Sequence, residues 1–411
     1  MTIKKLLEYV LAAVGTTGLA KAPALALRKR RLNTFLRGEK KYRFPSFVNP
    51  HMSFIIPVFN GAHHTLECLL SILRVADGSY EVIIVDDGCS DETTALLSYF
   101  ENVRVHRNPQ NLGFLRSVNA GAKLAIGQYL VLINNDARLV EGSLVAALDV
   151  YETENNCGLM GARVRHVSGG LQEAGCMIYR DGTTNGYLRY QPEGDLRAMF
   201  QRDVDYCSGV FAIIARRHFE SLGGLDEAYA PAYFEETDFC MRLRKKGLRC
   251  IFYPRLLVDH FEFGSSINSR AARQMIEDRR SLFLKRWAVT LHQQNFFPHE
   301  KSQIIERAAL RLLPHPRNLL VFDANLDFPK DCQIAEKKLG HVTVYLLNGN
   351  AEIMKRLVAK MGVRVALAFG DWKQLRRFIK ERAGIYDMLE VLTYMKPKQI
   401  AKLRSDMQLR S

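Results

Sequence analysis

The stretch EVIIVDDG, residues 81–88, decides the fold. An unbroken apolar run, Val82 to Val85, stops abruptly at two aspartates and a glycine. A short β-rich run ended by a turn reads as a strand buried on both faces. Comparable runs lie on either side, as SFIIPVFN (53–60), VRVHRN (103–108) and QYLVLINND (128–136). Helical patterns fall between them, starting at about Ala62, Asp91 and Arg116. Strands alternating with helices predict a mostly parallel sheet covered by helices on both faces. The polar residues follow the strands: Asn60, Asp86 and Asp87, and Asn134 to Asp136. In open α/β sheets ligands collect beyond the carboxyl edge, so these strands aim polar groups at one rim.

After Val150 the alternation loosens into GLMGARVRH (158–166), GCMIYRDG (175–182) and CSGVFAIIARR (207–217), read as mixed strands laid against the first set. A strand RCIFYPRLLVDHFE (249–262) and a helix from Ser269 to Arg286 close this unit, and HQQNFFPHEKSQ (292–303) reads as linker. A smaller parallel α/β unit follows. Its strands are NLLVFDAN (318–325), HVTVYLLNG (341–349), VRVALAF (363–369) and YDMLEVLT (386–393), with helices at 331–338, 351–361, 371–382 and from 396. It has no glycine-rich phosphate loop. The expected domains are thus a basic arm (1–48), a main α/β domain (49–290), a linker (291–317) and a half-Rossmann domain (318–411).

A chain of 411 residues, 47% hydrophobic, is globular and long enough for two or three domains. Its eight cysteines are scattered without a CxxC pair, against both a zinc site and a disulfide framework and in favour of a reducing cytoplasm. Net charge is +15, and residues 1–48 carry eleven Lys and Arg against Glu8 and Glu39, a net +9. Leu6, Leu7, Val10, Leu11 and Val14 recur at helical spacing, which suits an interfacial helix at the inner membrane face. The uncharged run Tyr9–Ala20 is twelve residues, too short for the about 20 needed to span. The Lys-Lys start would also suit a signal peptide, which a cytoplasmic enzyme contradicts. RKRR (28–31) matches anionic lipid or nucleic acid on charge, but no aromatic interleaving supports nucleic acid. A solvated arm packing on the next domain is the competing reading.

The other informative stretch is YFEETDFCMRLRKKG (233–247). Acids in a first helical turn offset the helix dipole, and Lys245, Lys246 and Gly247 suit the other end. An amphipathic helix explains Phe239 and Leu243 as its core side and leaves Asp238 to cap or to pair with Arg242 four residues on. It does not explain two adjacent glutamates, Glu235 and Glu236, directly after an aromatic loop.

Seven segments in order, IIPVFN (55–60), IIVDDGCSDET (83–93), NPQNLGF (108–114), VNAGAKLAIGQYLVLINND (118–136), GGLDEAY (223–229), FEETDFCMRLRKKG (234–247) and VDHFE (258–262), resemble family 2 glycosyltransferases of the GT-A fold. LQEAG (171–175) and DYCSGVFAI (205–213) resemble a rhamnosyltransferase-like subset found in bacterial surface-polysaccharide assembly. The likeness covers roughly Ser53 to Trp287. It implies an inverting transfer of sugar from a UDP- or dTDP-type nucleotide-diphosphate donor to a glycan or lipid-linked acceptor.

By that resemblance Asp87 accepts the imide N–H of the base, Pro57, Phe59 and Asn60 shape the base pocket, and Asp86 holds the loop. Asn111, Gly113 and Asn135 are carried over as substrate-binding residues, with Ser208 and Gly209 near the donor sugar; Gln172 and Asp226 are equally readable as structural. NND stands where the family has its metal-binding DxD, so Asp136 would ligate Mn²⁺ or Mg²⁺, with His260 a later ligand and Asn134 in place of the first acid. A neutral amide binds these cations more weakly than a carboxylate, and a nitrogen ligand tilts the site toward Mn²⁺. Glu236, where an aspartate is more usual, is the implied general base, with Glu235 beside it. Cys89 after DDG, where serine is common, is expected to serve only the turn. The C-terminal unit looks like the first half of a second, two-Rossmann transferase without its nucleotide-binding half. Two other readings remain: a non-catalytic nucleotide-sugar-binding or scaffold protein with a weakened metal site, and a nucleotidyltransferase, against which the absence of a glycine-rich basic loop at IIPVFNGAHH speaks.

Overall fold

The computed structural model describes residues 18–167, 169–195, 198–199, 201–261, 270–294, 318–323, 342–347, 365–381, 388–392 and 395–407. After helix α1 (Gly18–Leu36), strands β1 (Met52–Val58), β2 (Tyr80–Asp86), β3 (Val103–Arg107) and β4 (Tyr129–Ile133) form a parallel set in the order β3-β2-β1-β4. Every residue of β1 and β4 is buried, which is why these runs are continuously apolar instead of alternating. Side-chain alternation still sorts them between two cores. Phe54, Ile56 and Val58 meet α2 (Ala62–Val75), whereas Ile55, Ile83 and Val85 meet α3 (Phe114–Leu124).

Beyond β4 the sheet becomes mixed, as the looser second half predicts. Strands β5 (Ala137–Glu141), β6 (Cys157–His166), β7 (Leu171–Ala174), β8 (Arg202–Val204), β9 (Phe211–Ala215) and β10 (Arg249–His260) complete ten. β9 lies antiparallel between β4 and β6, β10 runs parallel to β6, and β5 and β7 pair with the far halves of β10 and β6. Helix α4 (Leu144–Thr153) packs on the α2 side, and α5 (Glu235–Lys245) with α6 (Arg270–Gln294) on the α3 side. The expected architecture of a mostly parallel mixed sheet with helices on both faces is present.

Three boundaries differ from expectation. Residues 25–48 are no detached arm: Leu32 and Phe44 are buried in the same core as β1 and α2, and the Phe35 ring stacks on Tyr42 at 5.3 Å. A helix running through Pro23 costs stability locally, and these tertiary contacts offset it. The second difference is at the linker, where α6 continues through Gln294, because Phe283, Trp287 and Leu291, four apart, keep one face buried. The third is the helix expected from Asp91, which is short, Thr93–Leu97, with Asp91 accepting the Thr93 N–H at 3.1 Å.

The C-terminal strands β11 (Asn318–Asp323), β12 (Val342–Leu347), β13 (Val365–Gly370) and β14 (Met388–Leu392) are parallel in the order β13-β12-β11-β14. This is the 3-2-1-4 order that starts a doubly wound sheet. Helices α7 (Trp372–Glu381) and α8 (Pro397–Asp406) bury Leu375, Ile379 and Leu403 around Tyr345. The helices expected at 331–338 and 351–361, and the one at Leu6–Val14, lie outside the described residues.

One buried carboxylate joins α5 to α6. Asp238, fully buried, accepts from Arg242 Nε at 2.7 Å, Trp287 Nε1 at 2.8 Å, Arg286 Nη1 at 3.0 Å and the Tyr229 hydroxyl at 3.3 Å. Removing it strands an arginine and an indole N–H. Asp238→Ala is expected to lower the free energy of unfolding of the main domain by about 3–5 kcal/mol, read from its urea midpoint. A loss under about 1 kcal/mol would show that α5 is anchored elsewhere.

Candidate active site

The ends of β1, β2 and β4 are laced together by short polar bonds. Asp87 N–H donates to Val58 O at 2.8 Å, and Asn135 Nδ2 donates to Asn60 O at 3.2 Å and Thr65 Oγ1 at 3.1 Å. Asn60 sits at φ 56°, a left-handed conformation that asparagine tolerates, and its Oδ1 accepts the Ser90 N–H at 2.8 Å. Cys89 does more than serve the turn: its sulfur accepts the Asn60 N–H at 3.1 Å and donates to Val58 O at 3.3 Å. Phe59 is 51% exposed on the rim, while Pro57 is buried inside β1 opposite Val85. Pro57 can therefore shape the rim only through the course of the strand.

Asp86 and Asp87 divide as their positions suggest. Asp86 Oδ1 accepts the Cys89 N–H at 2.8 Å and closes the turn. The Asp87 carboxylate, 3% exposed, takes Asn108 Nδ2 at 2.7 Å, Leu112 N–H at 2.9 Å and Gly113 N–H at 2.8 Å. It thus builds the 111–113 loop, and Oδ2, with one bond, keeps a further acceptor direction. Asn111 Oδ1 also accepts the Gly113 N–H, at 3.0 Å. Gly113 adopts φ 92° and lies so close to Pro231 that a Cβ there would meet Pro231 Cβ at 2.5 Å. The 111–113 loop therefore rests on the segment leading into α5.

At the end of β4, Asp136 Oδ1 stands 3.1 Å from His260 Nε2, and Gln172 Oε1 stands 2.8 Å from His260 Nδ1. An amide oxygen only accepts, so it selects the tautomer with the proton on Nδ1 and leaves the Nε2 lone pair facing a carboxylate. Two acceptors in that arrangement call for a shared proton or a cation. Burial pushes the Asp136 carboxyl up, but the charge and hydrogen bond of His260 outweigh it and hold it below the usual range. His64, against the Phe261 ring at 4.5 Å, is kept neutral: burial, with the His63 charge, brings it down to about 3. Asn134 Oδ1 is buried without a hydrogen-bond partner among the described residues. Among those residues no group of three or more His, Cys, Asp and Glu is arranged to hold a metal. The donor set for a divalent cation is thus one carboxylate oxygen and one imidazole nitrogen, with an amide oxygen at the same strand end.

Helix α5 begins without a side-chain cap, after Tyr233 and Phe234 at φ 77° and 68°. Left-handed backbone at two successive aromatic residues costs about 1–3 kcal/mol each and aims the residues that follow. Glu235 is 4% exposed and Glu236 half-buried, and Oε2 of each is buried without a partner among the described residues. Burial, then the neighbouring Glu236 charge, raises the Glu235 carboxyl well above its ordinary value. Burial, then the charge of Glu173, raises Glu236 to about 7. Val210, the residue after Gly209, accepts the Asn134 N–H at 3.1 Å. Phe114 packs against Gly209. Asp226 stands apart, capping Ala228 N–H at 2.9 Å and pairing with Arg286 at 2.7 Å. Glu173 went unread in LQEAG, although a second polar residue in a fully buried strand was the available signal.

Residues 53–223 match the model of Glycosyl transferase family 2, and this part of the chain is a family 2 glycosyltransferase domain. The match ends before Glu235 and Glu236. The O-antigen biosynthesis protein RfbC of Myxococcus xanthus is 27% identical over 55% of this chain and 18% of its own length. An N-acetylglucosaminyl-diphospho-decaprenol L-rhamnosyltransferase of Mycobacterium tuberculosis is 25% identical over 52% of this chain and 78% of its own length. The chain spans 28% and 18% of the length of two of the curated relatives it matches. A mannosyltransferase from Pyrobaculum calidifontis, solved with GDP-Man and Mn²⁺, superposes at a TM-score of 0.44 with 17% identity, over 81% of this chain and 91% of that one; at that score it carries no weight here.

Gly113→Ala tests the packing of the 111–113 loop. It should lower stability by about 1–3 kcal/mol through overpacking against Pro231, read by chemical denaturation. Gly194→Ala, with open space around it, should leave the midpoint unchanged. Equal midpoints for both variants would contradict the close approach.

Proposed function

We propose that the chain is an inverting glycosyltransferase that moves a sugar from a nucleotide-diphosphate donor of the UDP or dTDP type to a glycan or lipid-linked acceptor, in bacterial surface-polysaccharide synthesis. One observation carries the reading. Glu236, in the first turn of α5, has a carboxylate oxygen that is buried without a partner among the described residues, and burial raises its pKa to about 7. A carboxylate left unpaired in a folded protein costs stability without return unless a substrate group supplies its partner.

In the proposed reaction Glu236 takes the proton of the acceptor hydroxyl. The hydroxyl oxygen forms its bond to the anomeric carbon on the face opposite the diphosphate. The bond from that carbon to the phosphate oxygen breaks, and the electron pair leaves with the nucleoside diphosphate. The configuration inverts, and no covalent intermediate forms. Burial and the neighbouring carboxylate disfavour a second charge at Glu235. Asp87 and the 111–113 loop hold the base, and Phe59 flanks it. Ser208 and Gly209 lie against the sugar. The residues fit a divalent cation: Asp136 and His260, with Asn134, would hold Mn²⁺ or Mg²⁺, which when bound neutralises charge on the departing diphosphate. The exposed Lys29 and Arg30 on α1 support a site at the inner membrane face, and among the described residues no helix is long and apolar enough to cross a membrane.

A second reading, nucleotide-sugar binding without turnover, is favoured by the neutral Asn134 and the two-ligand character of the Asp136–His260 pair. Mass-spectrometric screening of nucleotide sugars with Mn²⁺ separates the two. Transfer is expected from the parent chain, and Glu236→Gln should lose about 10²–10⁴-fold in kcat while still binding the nucleotide. Retained transfer would remove Glu236 as the base; no turnover of any donor, with Asp136→Ala changing nothing, would favour the second reading.

The pH dependence has a definite sign. A base acts in its ionised form, so kcat should climb as pH rises through about 7 and fall away below it. A rate independent of pH between 5.5 and 8 would contradict the assignment. Gln172→Ala frees the His260 ring and is expected to weaken Mn²⁺ binding about 10–100-fold, measured by electron paramagnetic resonance of free Mn²⁺ in the presence of nucleoside diphosphate. Unchanged affinity would detach His260 from the cation.

A further inference from the structure

The basic run RKRR, Arg28 to Arg31, is divided by the helical turn of α1. Lys29 and Arg30 face solvent, and Arg31 Nη1 pairs with Glu67 of α2 at 2.7 Å. Arg28 shares its face with Leu32, four residues on, which is buried in the core with β1 and α2. That face brings the Arg28 side chain to the end of β10, where its guanidinium carbon lies 3.7 Å from the centroid of the Phe261 ring. Phe261 directly follows His260, and its N–H donates to Asp136 O at 3.0 Å. An arginine from outside the matched family segment, which begins at residue 53, thus stacks on a residue bonded to the Asp136 backbone.

Arg28 Nη1 is buried without a hydrogen-bond partner among the described residues. The acids nearest in charge are already engaged. Glu67 is held by Arg31, and Asp259, 1% exposed, accepts from Arg138 Nε at 2.8 Å, Arg138 Nη2 at 2.6 Å and Arg165 Nε at 2.6 Å. Burial, against the pull of Glu67, lowers the Arg28 guanidinium to about 10, so it stays charged at neutral pH. A charged donor buried without an acceptor is costly, and an anion arriving from solution is the group that completes it. The adjoining rings carry a second such atom. His64 meets Phe261 at 4.5 Å and His63 at 4.1 Å, and His63 Nε2 is likewise buried without a partner among the described residues.

We propose that Arg28 binds a diphosphate oxygen beside the Asp136–His260 pair, an assignment that rests on reading that strand-end turn as a diphosphate site. A guanidinium presents parallel N–H donors in a planar fork that matches phosphate oxygens. The Phe261 face holds the fork by a cation–π contact, and the Arg31–Glu67 pair fastens α1 to α2, so the donors are oriented before the anion arrives. Asn134 gives the candidate cation site one carboxylate fewer than a paired-acid motif, and a fixed guanidinium adds positive charge that does not depend on the metal. The diphosphates of a nucleotide donor and of a lipid-linked acceptor present the same chemistry to Arg28.

Titration calorimetry of the full chain with Mn²⁺ separates the two sources, with UDP standing for the donor and farnesyl diphosphate for the acceptor. Arg28→Gln is expected to weaken at least one of them about 10–100-fold. Arg37→Gln, which removes an exposed charge just past α1, should leave both unchanged. Loss confined to UDP assigns Arg28 to the donor, loss confined to farnesyl diphosphate assigns it to the acceptor, and loss of both supports one shared position. Unchanged affinity for both ligands in Arg28→Gln, or equal weakening by Arg37→Gln, overturns the inference. Should Arg28→Gln not fold, inorganic pyrophosphate must protect Arg28 of the parent chain from phenylglyoxal, mapped by mass spectrometry with Arg37 as the unprotected reference. Equal modification with and without pyrophosphate overturns the proposal. A parent chain that binds none of the three probes would instead refute the diphosphate reading of the turn itself, so the two failures are distinguishable.

Discussion

Asp238 takes no part in the proposed chemistry, yet the site depends on it. Its carboxylate gathers donors from Arg242 on its own helix, from Arg286 and Trp287 on α6, and from Tyr229 in the turn before α5. A fully buried charge is tolerable only when satisfied in this way. Once it is satisfied, α5 cannot rotate, and the first-turn residues Glu235 and Glu236 are fixed relative to Gly209. Of the three acids within four positions, Asp238 holds the helix, while burial raises the carboxyl pKa of both Glu235 and Glu236.

The site shows the local costs expected where function competes with stability. Tyr233 and Phe234 hold left-handed backbone, two carboxylate oxygens have no partner among the described residues, and His260 Nε2 stands 3.1 Å from an Asp136 oxygen. The surroundings over-determine each feature. Gly113 packs on Pro231, Leu115 N–H donates to Pro231 O at 3.3 Å, and Asn135 ties β4 to β1. Strain held this way orients groups before a substrate arrives, which lowers the reorganisation needed during transfer.

Most of the parallel half was legible because each of its runs is long, apolar and closed by polar residues. EVIIVDDG and QYLVLINND became β2 and β4 with Asp87 and Asn134–Asp136 just past their ends. The pairing of Asp238 with Arg242 was equally legible, since it follows from helical spacing alone. For residues 25–48 the sequence left two readings open, and the structure follows the arm packed on the next domain; charge dominates their composition, while the few apolar side chains that fasten them, Leu32, Phe35 and Phe44, are decided by tertiary contact. Cys89 and Glu173 were missed for a related reason. Each bridges partners distant in sequence, Val58 with Asn60 and Ser208 with Cys176, and no local period encodes such a bond.

The central claim is spatial: a cation site at Asp136 and a proton-accepting carboxylate at Glu236 open onto one sugar-sized gap. A crystal structure of the chain with Mn²⁺ and a nucleoside diphosphate tests it most directly. The account predicts metal density contacting Asp136 and His260, the diphosphate on that metal, and the free Glu236 oxygen facing the diphosphate across space for one sugar. A diphosphate bound in a cavity that Glu236 does not border would contradict it.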